Sequence, residues 1–167
     1  MKKIFLVLTI MCILLCGCGK KTVSWEELAH KGIDIAESYK KYDTIDMSYP
    51  NWAYQYEQMF VGEYSDPIKD YYYIFNEDHE YYDPWQIIIL RMDSEKNAEN
   101  AVKYMEEYRE RIIKENSDFI KGMGEFANQN AINVLSNGVI DNYDEYVFCL
   151  LCEKPTEIYE SCVSMIK

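Results

Sequence analysis

The chain has 167 residues, enough for one domain of ordinary size with a short extension. Hydrophobic residues make up 49% of it and charged residues 28%, a composition that supports a packed core and argues against global disorder. Acidic residues outnumber basic residues by 29 to 17, so the formal charge of −12 argues against general electrostatic binding to nucleic acid or to anionic lipid.

The N-terminus has the three parts of a secretory signal. Two lysines follow Met1, an apolar or weakly polar run of 12 residues extends from Ile4 to Leu15, and small residues come next. The run is too short to span a bilayer, which takes about 20 apolar residues. The sequence therefore predicts export, with residues 1–17 as the signal peptide.

Residues 15–18, Leu-Cys-Gly-Cys, resemble the lipobox of bacterial lipoproteins. The resemblance implies cleavage before Cys18, attachment of diacylglycerol to its sulfur and usually a further acyl chain on the new amino terminus. Two or three buried chains, at about 0.8 kcal/mol per methylene, make such an anchor stable. The alternative is a plain secretory signal cut near Gly17 or Gly19. Cleavage before Cys18 leaves 150 residues and a charge of −14, because it removes two lysines and no acid.

The mature chain is predicted to start with a tether over residues 18–22 and a helix behind it. Ser24 and Glu27 have the spacing of a capping box, in which each side chain accepts a hydrogen bond from the other residue's backbone N–H. The helix is expected to run to about Lys41, with Gly32 weakening its middle.

The next stretch contains a predicted loop over residues 43–48 and a short helix opened by Pro50. That helix would carry four large apolar residues at helical spacing: Trp52, Tyr56, Met59 and Phe60. Residues 71–75 are rich in aromatics and are predicted to form a strand. Residues 76–84 are acidic and typical of a turn.

The second half begins with a β-branched run at residues 86–90, which predicts a strand buried on both faces. Asp93 or Ser94 is expected to cap a long helix ending near Asn116, and a short helix is expected over residues 126–131. The stripe of the long helix consists of Ala98, Ala101, Val102, Met105, Tyr108 and Ile112.

Two strands are predicted over residues 134–140 and 145–152, joined by a turn at 141–144. Pro155 opens a last helix whose inward residues are Ile158, Cys162, Val163 and Ile166. This order predicts an α+β fold: a small, mainly antiparallel sheet with helices packed on one face, preceded by one or two N-terminal helices. Residues 23–167 are expected to form a single domain.

The order of predicted strands and helices in the second half of the mature chain is itself informative. A buried Gln-Ile-Ile-Ile strand at 86–89 precedes a charged helix with Tyr-Arg-Glu at 108–110, then Val-Ile at 139–140, a strand at 145–150 and a C-terminal helix. From residue 85 to 166 this pattern resembles a family of small bacterial lipoproteins, mostly Gram-positive, that carry a domain of unknown function. Glu-Tyr stands here where that family has Gly-Tyr before the last strand. The resemblance implies location and fold, and no activity.

Cysteine spacing suggests a redox or metal site at Cys149 and Cys152. On a strand, however, residues three apart point to opposite faces and lie about 10 Å apart. A disulfide needs Cα atoms within about 7 Å. We therefore predict free buried thiols, with a Cys152–Cys162 disulfide as the alternative in an oxidising compartment, and we predict no metal and no cofactor.

Tyrosine is concentrated between Tyr49 and Tyr82, where nine of the 16 tyrosines lie. Tyrosine and tryptophan suit binding surfaces because they combine apolar area with a hydrogen-bonding tip. The candidate ligand- or partner-binding residues are Trp52, Tyr54, Tyr56, Tyr72 and Trp85. The alternative is that about half of these aromatics fill the core and the rest are scattered over the surface.

No catalytic signature is present in the sequence, so the expected function is a non-enzymatic, lipid-anchored, extracytoplasmic binding module. Its expected partners are the membrane, through the lipid anchor, and an envelope protein or glycan, with no nucleic acid. The alternative is a carbohydrate- or envelope-polymer-binding module that uses the Tyr/Trp-rich segment 49–85. An enzyme with paired carboxylates is a third hypothesis.

Overall fold

The computed structural model describes residues 22–36, 42–48, 50, 68–76, 85–123 and 131–167. The elements are helix α1 (Trp25–Ala36), strands β1 (Tyr42–Asp46), β2 (Ile68–Asn76) and β3 (Gln86–Met92), helices α2 (Glu95–Met123) and α3 (Ala131–Ser136), strands β4 (Val139–Tyr143) and β5 (Tyr146–Leu151), and helix α4 (Pro155–Ile166). The strands form one five-stranded sheet in the order β1-β2-β3-β5-β4, and each neighbouring pair is antiparallel. The predicted α+β class, with an antiparallel sheet and an N-terminal helix, is confirmed.

Helices cover both faces of the sheet. Successive strand residues point to opposite faces, so Ile87 and Ile89 pack on one side with residues of α1 and α4. Ile88 and Leu90 pack on the other side with residues of α2 and α3. The prediction that the helices pack on one face of the sheet is therefore corrected: they pack on both faces. The physical reason is that β3 and β5 are apolar on both faces, and each face needs its own cover.

The start of α1 agrees with the sequence. Ser24 Oγ accepts a hydrogen bond from the Glu27 N–H at 3.1 Å, and Glu27 Oε2 accepts one from the Ser24 N–H at 3.2 Å. Gly32 in the middle of the helix is buried, and a Cβ there would lie 3.1 Å from Ile87 Cδ1. The glycine thus allows α1 to approach β3 closely. The predicted helix end at Lys41 lies outside the described residues.

The loop predicted over residues 43–48 is wrong for residues 43–46, which belong to β1, whereas residues 47–48 form a turn. Strand β1 pairs with β2 from Tyr42↔Asn76 to Asp46↔Tyr72. Its Tyr-Asp-Thr-Ile-Asp sequence combines three residues that favour strands with two aspartates, which are depleted in strands. As an edge strand it needs only one neighbour, and the backbone bonds to β2 determine its conformation. The helix predicted after Pro50 lies outside the described residues.

The strand predicted over residues 134–140 is also wrong in its first part. Residues 131–136 form α3, and the strand begins only at Val139. Ala131 and Leu135, one helical turn apart, are both buried, and Leu135 belongs to the core beneath α2. The local sequence pattern assigned Leu135 to a strand because it contains no information about the tertiary contacts that bury Leu135 in a helix. Most of the short helix predicted at 126–131 lies outside the described residues.

The remaining elements match their predictions closely. Strand β3 is buried on both faces, residues 71–75 lie within β2, and α4 begins at Pro155. All four predicted inward residues of α4 are buried. Helix α2 starts where Ser94 Oγ accepts a hydrogen bond from the Asn97 N–H at 3.4 Å, and it continues beyond Asn116 to Met123. The turn between β4 and β5 is shorter than predicted, and Asp144 in it adopts the left-handed conformation, with φ of 51°.

Candidate functional site

A cleft lies at the end of the sheet where β2 and β5 begin and β3 ends. Antiparallel pairing places Ile68 beside Met92 and Tyr146 beside Arg91, so these three strand ends meet. We call this end the strand-end face. The cleft has a volume of about 320 Å³ and is lined by Thr22, Arg91, Glu95, Asp144, Glu145, Tyr146 and Ile166. Its size is at the lower end of the range for small-molecule sites.

Arg91 is the centre of an ion-pair network in the wall of the cleft. Its Nε donates to Glu145 Oε1 at 2.6 Å, and its Nη1 donates to Asp70 Oδ2 at 3.5 Å. Lys69 Nζ donates to the second oxygen of Glu145, Oε2, at 3.3 Å. Two cations therefore face two carboxylates across three strand ends. The network holds the Arg91 and Glu145 side chains in place within the wall.

Lowering the pH is expected to weaken this network through Glu145. Burial alone would raise the pKa of this carboxyl, but the hydrogen bond and charge of Arg91, followed by those of Lys69, lower it below the ordinary 4.5. Such a group contributes stability that is complete above pH 4.5 and is lost as the pH falls through the lower folded pKa. Glu145→Gln should therefore reduce the acid dependence of the urea midpoint. Glu99→Gln on the exposed face of α2 is the control, and an equal acid dependence in both variants would contradict the role of Glu145.

Tyr146 connects the cleft to the N-terminal end of the domain. Its hydroxyl donates to the Val23 carbonyl at 2.7 Å, and Arg91 lies over its ring at 5.8 Å from the centroid. Val23 is itself only 1% exposed. Thr22 lines the cleft immediately before it. The chain therefore enters the domain at the strand-end face.

The lining of the cleft has a surplus of negative charge. Glu95, Asp144 and Glu145 contribute three carboxylates, and Arg91 contributes the one guanidinium among the lining residues. Clefts of one sign of charge concentrate counter-charged groups near them. The arrangement suits a small polar ligand that bears a cationic group.

The three cysteines of the folded domain are free and buried, as predicted, and the alternative Cys152–Cys162 disulfide is not formed. Burial raises the pKa of Cys149, and it raises the pKa values of Cys152 and Cys162 to about 12. Cys162 Sγ lies 3.6 Å from the Leu28 carbonyl, to which it donates. Since the thiolate is the reactive form, burial and the raised pKa values disfavour nucleophilic reactivity of these thiols in the native protein.

Alkylation of the native protein with iodoacetamide at neutral pH is expected to leave Cys149, Cys152 and Cys162 unmodified. Burial hinders access, and the raised pKa values keep the thiols protonated. In urea all three should react, and mass spectrometry of the intact protein counts the added groups. Rapid modification of any of the three in the native protein would contradict their burial.

The aromatic candidates are only partly covered by the structure. Tyr72 is 6% exposed and lies against Trp25, with ring centroids 4.5 Å apart. Trp85 is 1% exposed in the same core. An exposed binding role for Tyr72 and Trp85 is therefore wrong, because both are buried in the core that includes α1 and α4. The other candidates, Trp52, Tyr54, Tyr56 and the lipidation residue Cys18, lie outside the described residues.

Sequence reasoning missed the cleft. One signal was available in the sequence. Arg91 interrupts the apolar run of β3 at the second-to-last position of the strand, where it is half-buried. A charged residue in such a position requires a partner. Its partners, Asp70 and Glu145, lie 21 and 54 positions away, and no local pattern connects them.

Within the described ranges, no three His, Cys, Asp or Glu side chains are grouped so that they could hold a metal ion. No helix in this part of the chain is both long and apolar enough to cross a membrane. No family model, no curated protein and no solved structure matches the chain. A functional proposal therefore rests on the residues of this chain alone.

Proposed function

We propose that the protein is a lipid-anchored, extracytoplasmic, non-enzymatic binding protein. The observation that carries the proposal is the lipobox-like sequence at residues 15–18, which follows a positively charged start and a 12-residue apolar run. Val23, five residues after Cys18, is already buried in the domain, and the first helix begins at Trp25. A short tether of this kind suits a domain that works beside a membrane.

The cleft at the strand-end face is the proposed binding site. Arg91 and Glu145 in its wall are already bonded to each other, which favours a role in shaping the site over a role in proton transfer. Glu95 and Asp144 add negative charge to the lining. The group that this lining favours is small and cationic, such as a primary ammonium carried by an envelope protein or glycan.

Replacing Cys18 by alanine tests the anchor. The wild-type protein is expected to sediment with membranes, whereas Cys18→Ala should appear in the soluble extracytoplasmic fraction or the medium, because no acyl chain can be attached. Cys16→Ala is the matched control and should still sediment with membranes. A Cys18→Ala protein that remains in the membrane pellet would overturn the anchor.

Cross-linking on intact cells, followed by purification, tests the binding role. Glu95→Gln removes one charge from the lining of the cleft, and Glu99→Gln removes one from an exposed position one helical turn further along α2. A specific partner should be captured by the wild type and by Glu99→Gln, and in reduced yield by Glu95→Gln. Equal capture by all three proteins would exclude the cleft as the binding site.

Carbohydrate binding through the Tyr/Trp-rich segment 49–85 is the competing hypothesis. Two of its five candidate residues, Tyr72 and Trp85, are buried in the core and are not available to a glycan. The remaining candidates are those predicted from the sequence, Trp52, Tyr54 and Tyr56. Titration of the protein with envelope polysaccharides, followed by tryptophan fluorescence, separates the two hypotheses. Saturable binding that persists in Glu95→Gln would favour the aromatic segment over the cleft.

A further inference from the structure

The point at which the chain enters the folded domain is fixed by several contacts. The Val23 carbonyl accepts the hydroxyl hydrogen bond of Tyr146 at 2.7 Å, and Val23 is 1% exposed. Ser24 and Glu27, directly behind it, are joined by their reciprocal hydrogen bonds. Thr22, directly before it, lines the cleft. The tether therefore leaves from the strand-end face.

The tether, even when fully extended, is only about as long as one strand of the sheet, which disfavours an orientation with the opposite end of the sheet at the membrane. Five chain steps separate Cys18 from Val23, and they span at most about 18 Å when fully extended. Strand β5 runs away from the strand-end face, and its path from Tyr146 to Leu151 covers about 17 Å. Side chains and the turn beyond Leu151 add to that length. An inverted orientation would therefore need a longer connection.

We propose that the strand-end face, with its cleft, faces the lipid bilayer, so that the cleft opens toward the headgroups. This orientation rests on the proposed anchoring at Cys18. The partner of this surface is a lipid surface, held within about 18 Å of Val23 by the length of the tether. A cleft in this position receives ligands from the membrane surface.

Electrostatic attraction does not produce this orientation. The mature chain has a formal charge of −14 and is repelled by anionic lipids. Lys69 and Arg91 on the strand-end face already pair with carboxylates, Glu145 and Asp70. The orientation should therefore not weaken as salt is added, because salt only screens the repulsion, whereas docking through a basic patch would weaken.

Fluorophores at the two ends of the sheet test the orientation. Lys69→Cys places a label at the strand-end face, and Thr156→Cys places one at the start of α4, which follows the far end of β5. The introduced cysteine is the reactive one, because Cys149, Cys152 and Cys162 are buried and Cys18 is acylated. The full lipidated protein is reconstituted in vesicles of phosphatidylglycerol and phosphatidylcholine that contain a lipid with a quencher on its headgroup.

The expected result is several-fold stronger quenching of the label at position 69 than of the label at position 156, at both low and high salt. Insertion of about 20 Gly and Ser residues after Gly19 should remove the difference, since a flexible linker of that length permits every orientation. Equal quenching at the two positions in the original protein would show a domain lying on its side and would overturn the orientation alone. Failure of the protein to float with the vesicles would overturn the anchor, and the orientation with it.

Discussion

Replacing Ile87 or Ile88 by alanine is expected to lower the free energy of unfolding by about 2–5 kcal/mol in each case. The two residues are neighbours in β3, both are fully buried, and they belong to different cores. Each substitution removes apolar contacts and leaves a cavity that the surrounding side chains fill only in part. Urea denaturation followed by circular dichroism measures both losses.

This pair of variants distinguishes a sheet with helices packed on both faces, as observed, from a sheet with one face exposed to solvent. If one face of β3 were in contact with solvent, one of the two substitutions would cost well under about 1 kcal/mol. Ile87→Val and Ile88→Val are the controls and should cost about 0.5–1.5 kcal/mol each. A large loss for one alanine variant together with a small loss for the other would contradict the structure.

Gly138→Ala is expected to destabilise the domain by about 3 kcal/mol, near the upper end of the usual range for overpacking. A Cβ at this position would lie 2.5 Å from Leu151 Cδ2 and 2.9 Å from the Leu150 carbonyl oxygen. The side chain can move, but the oxygen belongs to the central part of the sheet. The Gly138 carbonyl also accepts a hydrogen bond from Arg109 Nη1 at 3.2 Å, which a displaced backbone would lose.

Gly122→Ala provides the matched control for this substitution. Gly122 is exposed near the end of α2, and a Cβ there meets nothing within 4 Å. Alanine is favoured over glycine in a helix by about 0.8–1.0 kcal/mol, so this variant should be as stable as the wild type or slightly more stable. Thermal unfolding of both variants measures the contrast. Similar midpoints for the two would show that β4 can move away from β5 at little cost.

Helix starts were predictable because the residues that decide them are close together in the chain. Ser24 and Glu27 form the expected capping box. Ser94 caps α2, and Pro155 opens α4. A cap satisfies backbone N–H groups that lie within three residues of it, so the sequence contains the whole interaction. The same locality applies to the long apolar run of β3.

The packing of helices on the two faces of the sheet could be predicted only in part. The run at residues 86–90 correctly indicated a strand buried on both faces. A strand of that kind requires helices on both sides, but the chain order of the helices does not state which side each one takes. Packing assigned α1 and α4 to one face and α2 and α3 to the other. The expectation of a single covered face therefore failed where it conflicted with the burial of β3.

The sequence by itself determined the proposed export signal, the α+β class, the helix starts and the strands with long apolar runs, because each depends on residues near one another. Only the tertiary structure decided that residues 42–46 form an edge strand, that Leu135 lies in a helix, and that Tyr72 and Trp85 fill the core. The cleft is also a product of the tertiary structure, since Arg91 contacts Asp70 and Glu145 only because of the register of the antiparallel strands. Pairing between distant segments has no local signature, and its physical origin is the burial of both faces of the sheet.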